Sequence, residues 1–213
     1  MPFPLREPAL FSADDSDPSP ARFARVALLL EGGLAVVAVT VGWLCGFDPW
    51  YGMRREGYDA VALSRDLLWG IAATAPAAAI LLVDFERWKM LDDLKLQVSD
   101  LLQRLLRGAA LWQLFVIALA AGIGEEVLFR GLLQAGLAQL LPDSFALVGS
   151  LLIASVVFGL CHYLSHTYFA LATLAGVYFG LVMLLSGSLL PAIIAHALYD
   201  FIALAYLLHD RET

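Results

Sequence analysis

The stretch from Gly124 to Gly131 places two adjacent glutamates and an arginine inside otherwise apolar sequence. Its charged residues are Glu125, Glu126 and Arg130. A charged group at bilayer depth costs about 2.5 to 3.5 kcal/mol on insertion scales, so it is retained only where it is paired or faces a polar cavity. The stretch therefore marks a candidate functional site and constrains how the rest of the chain can pack around it.

The composition is that of an integral membrane protein. The chain has 213 residues, of which 61% are hydrophobic and only 15% are charged, against about 25% charged residues in a typical soluble domain. A soluble fold of this size could not hide so much apolar surface from water. The net charge is −7, and the sequence contains no basic patch. Both features argue against nucleic-acid binding. Cys45 and Cys161 have no metal-binding or redox spacing.

Apolar runs of about 20 residues are long enough to cross a bilayer as helices. A charged segment with leucines at helical spacing, residues 84–108, instead predicts an amphipathic helix at the membrane surface. The predicted spans are residues 24–47, 61–83, 109–140, 145–165, 168–186 and 189–208. The fold prediction is therefore all-α, a polytopic membrane helical bundle of about six transmembrane helices plus one interfacial amphipathic helix.

Composition also divides the chain along its length. Residues 1–22, rich in proline and acidic residues, predict a flexible N-terminal tail. Residues 23–108 are assigned to two N-terminal transmembrane helices and the amphipathic linker, residues 109–208 to a membrane-embedded helical core, and residues 209–213 to a C-terminal tail. Because Lys and Arg concentrate in the first tail and in the linker, these segments are predicted to be cytoplasmic.

Three polar clusters fall on different predicted helices of the core. Residues four apart share a helical face, so Glu126 is expected to pair with Arg130. Glu125 points about 100° away from Glu126 because an α-helix has 3.6 residues per turn. One glutamate is therefore left without a counter-ion on its own helix.

The other two clusters contain histidines. His162 lies in an apolar run, and His196 stands four residues before Asp200, a spacing at which a carboxylate can orient an imidazole. His166 is expected to have an interfacial or loop role, and His209 is given none. If the helices pack together, one water-holding cavity should be lined by Glu125, His162, His196 and Asp200.

The three clusters, in this order on successive helices, resemble the three motifs of the CPBP family of intramembrane proteases. That family contains the type II CAAX prenyl endopeptidases and the bacteriocin-processing or Abi proteins. The resemblance covers roughly residues 109–208, about half the chain. Family members usually carry Asn at the end of the third motif, and Asp is a known variant. The motifs as they stand here are Glu125-Glu126-x-x-x-Arg130, Phe158-x-x-x-His162 and His196-x-x-x-Asp200.

The resemblance implies an intramembrane endopeptidase. Glu125, aided by His162, would hold and deprotonate a water that attacks the scissile peptide carbonyl, and His196 would stabilise the developing oxyanion. Asp200 can donate a hydrogen bond only if protonated, so it is expected mainly to orient His196. The remaining motif residues are supporting: Glu126, Arg130 and Phe158.

Zinc or another divalent ion is a second way to activate water at this site. Imidazole nitrogens and carboxylates suit Zn²⁺, which makes the candidate ligands Glu125, His162, His196 and Asp200. No HExxH spacing is present. The resemblance is compatible with a metalloprotease and with a metal-free glutamate protease.

Two functions from other classes fit the same residues. One is a non-proteolytic membrane scaffold or bacteriocin self-immunity protein that retains the fold. The other is a proton-coupled transporter, since Glu and His chains also serve as proton relays. The expected partners are membrane lipids and a protein or peptide substrate at the bilayer. Prenylated CAAX proteins, bacteriocin leaders and C-terminal anchors are all compatible with a site that opens to the bilayer. The expected location is a multi-pass position in a bacterial-type plasma membrane.

Overall fold

A computed structural model describes residues 20–54, 56–81 and 89–209 of the chain. Within these ranges the protein consists of seven helices and no strands, which confirms the predicted all-α fold. The two predicted tails lie almost entirely outside the described residues. Residues 82–88, which include the end of the second predicted span and the start of the linker, also lie outside them. The helices are α1 Pro20–Leu44, α2 Ala60–Leu81, α3 Lys89–Leu106, α4 Leu111–Leu140, α5 Asp143–Cys161, α6 His166–Ser186 and α7 Leu190–His209.

Five of the described helices, α1, α4, α5, α6 and α7, are long and apolar enough to cross a membrane. Their outer faces carry large apolar side chains such as Leu29 and Trp43, each 77% exposed, which only a lipid environment would cover. In α2, Arg65 and Asp66 lower the hydropathy, and this helix is not among the five. Asp66 is nevertheless fully buried, where it accepts hydrogen bonds from Arg65 Nη2 at 2.9 Å and the Tyr58 hydroxyl at 3.1 Å.

The helix ends differ from the predicted bounds for local reasons. The predicted helix 145–165 ends at Cys161, and the His162 amide donates to the Gly159 carbonyl at 3.1 Å in a tightened last turn. Ser165 then caps α6 by accepting a hydrogen bond from the Tyr168 amide at 3.1 Å. Hydroxyl side chains at this position satisfy amides that the helix itself leaves free. His162 therefore lies just beyond a helix end rather than within an apolar helix, and His166 begins the next helix.

Glycines set the distance between the central helices. A Cβ atom on Gly70 of α2 would lie 2.6 Å from the Ile194 Cβ of α7, and one on Gly122 of α4 would lie 2.8 Å from the Ala197 Cβ of α7. No larger residue fits at either position without moving a helix. Helices in membranes pack closely where small residues let the backbones approach, and here the glycines bring α2 and α4 against α7.

The amphipathic helix α3 is attached to the end of α7. Ser99 Oγ donates to the Leu207 carbonyl at 3.2 Å, and Gln103 Nε2 donates to the Leu208 carbonyl at 3.0 Å. These are carbonyls of the last helical turn, which have no partner within α7. The attachment holds α3 across one end of the bundle, and its leucine face turns towards the other helices.

A labelling experiment tests the predicted side of the membrane for α3. Lys89 and Arg104 are both exposed, so a cysteine at either position should be modified by an impermeant thiol reagent from the cytoplasmic side. The background needs Cys45 and Cys161 replaced by Ser, because both native thiols are exposed. Modification from the opposite side only would reverse the predicted topology.

Candidate active site

The two glutamates lie in α4 where its geometry changes. Glu125 and Glu126 end the regular α-helical part, and the following turns, Val127–Gln134, are π-helical. Such wider turns occur frequently at functional sites in helices. Glu126 is fully buried and Glu125 is 9% exposed. The two side chains therefore share a membrane-depth environment but face different neighbours.

Glu126 is held by Arg130, as the four-residue spacing predicted. The Arg130 Nε atom lies 3.2 Å from Glu126 Oε2, and neither side chain has any exposed surface. The Arg130 guanidinium carbon also lies 4.8 Å from the centre of the Phe158 ring, a distance at which a cation is attracted to an aromatic face. Phe158 therefore supports the ion pair by contacting the guanidinium of Arg130.

His162 is oriented by the same phenylalanine. Its ring stacks on Phe158 with 4.4 Å between centroids, and Nδ1 lies 2.8 Å from the Phe158 carbonyl oxygen. A carbonyl oxygen only accepts, so Nδ1 carries the proton and donates it. In a neutral ring, Nε2 then presents a lone pair, and it lies 3.5 Å from Glu125 Oε1.

His196 is held in the corresponding way, but by a residue that the sequence did not indicate. Its Nδ1 lies 2.8 Å from Glu126 Oε1, and its ring stacks on Phe179 with 4.6 Å between centroids. The Nε2 atom lies 3.8 Å from Glu125 Oε2 and 3.5 Å from Asp200 Oδ2. Glu126 is therefore the nearest carboxylate to this imidazole, while Asp200 faces its other nitrogen.

The structure brings the four predicted site residues into one cavity. This cavity has a volume of about 780 Å³ and is bounded by all seven described helices and by the segment after α5. Towards α3 its wall is mostly apolar, formed by residues such as Leu91, Leu94 and Val98. The polar end is lined by Glu125, His162, His196 and Asp200. A mostly apolar wall with a few polar groups at one end is typical of ligand-binding pockets.

A further acidic residue, Glu31 of α1, lies against the segment that carries Glu125. Its backbone presses against α4, since a Cβ atom on Gly124 would lie 2.2 Å from the Glu31 carbonyl oxygen. Its side-chain Oε2 is enclosed and has no hydrogen-bond partner among the described residues. The sequence signal was a lone acid in an otherwise apolar span, but the pattern gave it no partner and hence no role.

Replacing Gly124 with Ala should separate α1 from the site. The added methyl group meets backbone that cannot rotate away, so we expect a loss of about 1 to 3 kcal/mol in the free energy of unfolding. Gly136→Ala, in the same helix, is the matched control because its Cβ would meet only Phe47 Cε1 at 3.8 Å. Unfolding in detergent micelles measures both variants, and equal stability would refute the tight contact with α1.

The donor atoms of the cavity are of the kind that zinc prefers. Ligands about 2.0 to 2.2 Å from a tetrahedral zinc ion lie about 3.3 to 3.6 Å apart, and Glu125 lies 3.5 Å from His162 Nε2 and 3.8 Å from His196 Nε2. Both histidines donate their other nitrogen to an oxygen, as metal-bound histidines do. Among the described residues, however, no group of three or more His, Cys, Asp or Glu side chains is arranged so that it could hold a metal ion. The residues therefore fit a metal in their chemistry, without showing a closed coordination shell.

The fold and the site define a multi-pass membrane protein with a buried glutamate–histidine centre. Residues 107–202 match the family model of the type II CAAX prenyl endopeptidase Rce1-like proteins, and this range contains all three motifs. No curated protein and no solved structure gives a match. For the part of the chain that it covers, this match confirms the family resemblance that the three motifs predicted.

Proposed function

We propose that the protein is an intramembrane endopeptidase in which Glu125 activates water. The observation that carries the proposal is the pair formed by Glu125 Oε1 and His162 Nε2, 3.5 Å apart. With its proton fixed on Nδ1, neutral His162 accepts at Nε2, and ionised Glu125 also accepts. One water molecule with hydrogen bonds of about 2.8 Å can donate to both at once, which turns its oxygen lone pairs towards the substrate.

The bond changes follow from this arrangement. A proton of the water passes to Glu125 while the water oxygen bonds to the scissile carbonyl carbon, and the carbonyl electrons move to its oxygen. Collapse of this intermediate breaks the carbon–nitrogen bond, and Glu125 returns the proton to the leaving amine. The general-base role needs a carboxylate within hydrogen-bond reach of the water, and Glu125 is the glutamate of the adjacent pair that lines the cavity.

His196 is proposed to stabilise the oxyanion. Glu126 holds the proton on Nδ1, so Nε2 donates only when the ring carries a second proton. The Glu125 and Asp200 carboxylates, 3.8 and 3.5 Å from Nε2, are the groups that can share such a proton with it. On this proposal Asp200 acts on the catalytic nitrogen of His196, while Glu126 sets the orientation of the ring.

A metal-assisted version of the reaction uses the same residues. Glu125, His162 and His196 would hold a divalent ion, with Asp200 beside them, and the ion would supply a more acidic bound water. Chelation separates the two versions. Cleavage that survives exhaustive treatment with a chelator supports the metal-free glutamate mechanism, and cleavage that is lost and restored by zinc supports the metal-dependent one.

The substrate is proposed to be a membrane-associated protein or peptide that reaches the cavity from the bilayer. Prenylated CAAX proteins, bacteriocin leaders and C-terminal anchors all fit an apolar wall beside a polar centre. Mass spectrometry should compare membranes from cells that produce the wild-type protein with membranes from cells that produce Glu125→Gln. Uncut peptides should accumulate with the variant, and their shared feature identifies the substrate class.

Two other functions give different results in simple assays. A scaffold or immunity protein should keep its activity in the Glu125→Gln variant and leave the peptide profile unchanged. A proton-coupled transporter should stop when the proton gradient is dissipated, whereas peptide cleavage should continue in detergent, where no gradient exists. The proposed endopeptidase therefore requires cleavage by purified protein in micelles.

A further inference from the structure

The proposed reaction places negative charge on a carbonyl oxygen, but the side chains at the centre are poor donors. Glu125 and Asp200 only accept when ionised. The Nδ1 protons of His162 and His196 are already given to the Phe158 carbonyl and to Glu126. Preformed donors aimed at the developing oxyanion are usually the largest single contribution to acyl-transfer catalysis. A neutral donor that needs no additional proton would therefore complete this centre.

Tyr168 is positioned to be that donor. It lines the same cavity as the four site residues, and its ring meets the His162 ring edge-on, with 6.5 Å between centroids. His162 is one of the residues that line the polar end of this cavity. The phenol therefore lies at the polar end of the cavity rather than along its apolar wall.

The local structure fixes where this tyrosine stands. Tyr168 occupies the first turn of α6, and its amide is held by the Ser165 side chain at 3.1 Å. Within the described part of the chain, its hydroxyl takes part in no hydrogen bond. By contrast, Tyr178 donates its hydroxyl to the Ala73 carbonyl, and Tyr163 pairs with His166 at 3.1 Å. The Tyr168 ring is thus held beside His162, and its hydroxyl remains available to a bound molecule.

From this geometry we propose that Tyr168 is a catalytic residue whose hydroxyl donates a hydrogen bond to the substrate oxyanion, beside His196. The proposal rests on the endopeptidase function argued above. A phenol is well suited to this task because it donates in its ordinary protonated form. It also bears no charge, so it adds nothing to the electrostatic cost of a centre that already contains several carboxylates.

The test is Tyr168→Phe, which removes one oxygen and leaves the ring in place. We expect kcat to fall about 100-fold with little change in KM, because loss of one oxyanion donor costs about 10² to 10³ in kcat. Tyr163→Phe is the matched control: it also loses a hydroxyl, but from a ring outside the cavity, and it should cleave at the wild-type rate. Rates are compared per amount of folded protein in detergent.

A second background separates a catalytic donor from a structural role. Asp200→Asn introduces an amide donor next to His196, which can partly replace the tyrosine. In that background, the fold-loss in kcat caused by Tyr168→Phe should be less than about a tenth of the fold-loss that the same change causes in the wild type. An equal loss in both backgrounds, a rise in KM alone, or wild-type kcat for Tyr168→Phe would each overturn the proposal. Failure of the wild-type protein itself to cleave peptides would instead refute the endopeptidase function.

Discussion

Replacing Arg130 with Ala should lower the free energy of unfolding by about 3 to 5 kcal/mol, because removing one partner of a buried ion pair strands the other charge. Glu126 would keep only the His196 imidazole as a partner. In the wild type the guanidinium carbon of Arg130 lies 4.8 Å from the centre of the Phe158 ring, so its removal also leaves an empty space over that ring. Less folded protein should therefore reach the membrane, and cleavage should fall because Glu126 no longer holds His196 in place.

Denaturant titration in detergent micelles measures this loss for wild type, Arg130→Ala and Arg130→Lys. The lysine variant keeps a positive charge near Glu126, but it cannot reproduce the planar guanidinium that lies over Phe158. Its stability should fall between the other two. A free energy of unfolding for Arg130→Ala within about 0.5 kcal/mol of wild type, the range of ordinary surface substitutions, would show that the pair does not support the fold.

Local spacing was sufficient to predict part of the site. Glu126 and Arg130 are four residues apart on one helix, and their pairing depends only on helix geometry. The all-helical bundle followed likewise from the length of the apolar runs. The convergence of three polar clusters was predicted from the cost of leaving buried charge unpaired. Each of these inferences depends on the geometry of a single helix or on the free-energy cost of placing charge in a bilayer.

The hydrogen bond between Glu126 and His196 could not be predicted in this way. The two residues are 70 positions apart, and their contact depends on how closely α4 approaches α7. That distance is set by Gly122, whose Cβ would lie 2.8 Å from the Ala197 Cβ. Sequence spacing instead suggested Asp200 as the partner of His196, because it is the acid on the same helical face. A tertiary contact thus supplies the closer carboxylate.

The position of Glu31 next to the site could not be predicted either, for a different reason. An isolated acid in a membrane span is a recognisable signal, but its meaning depends on which helix packs beside it. The contact with Gly124 places α1 against the segment that carries Glu125, and only the folded bundle shows this. The end of α5 before His162 was also missed, because that boundary depends on a capping contact by Ser165 with the next helix.

Glu125→Gln should abolish turnover while leaving the fold intact. The amide has almost the same shape, and it replaces a buried carboxylate with a neutral group, so it relieves rather than creates an electrostatic cost. It cannot take a proton from water, and the loss of a general base lowers rates by about 10² to 10⁴-fold. Glu126→Gln is the matched comparison because it alters the neighbouring acid, which faces Arg130 and His196 instead of the Glu125–His162 pair. It should be less stable than Glu125→Gln but should retain some cleavage.

The role of Glu125 as the base is tested by the cleavage rate per amount of folded protein in detergent for wild type, Glu125→Gln and Glu126→Gln. The substrate is a peptide identified by its accumulation in membranes that contain the Glu125→Gln protein. We predict cleavage by wild type, residual cleavage by Glu126→Gln, and none above background by a fully folded Glu125→Gln. Cleavage by Glu125→Gln at the wild-type rate, with a folded but inactive Glu126→Gln, would contradict the assignment of Glu125 as the base.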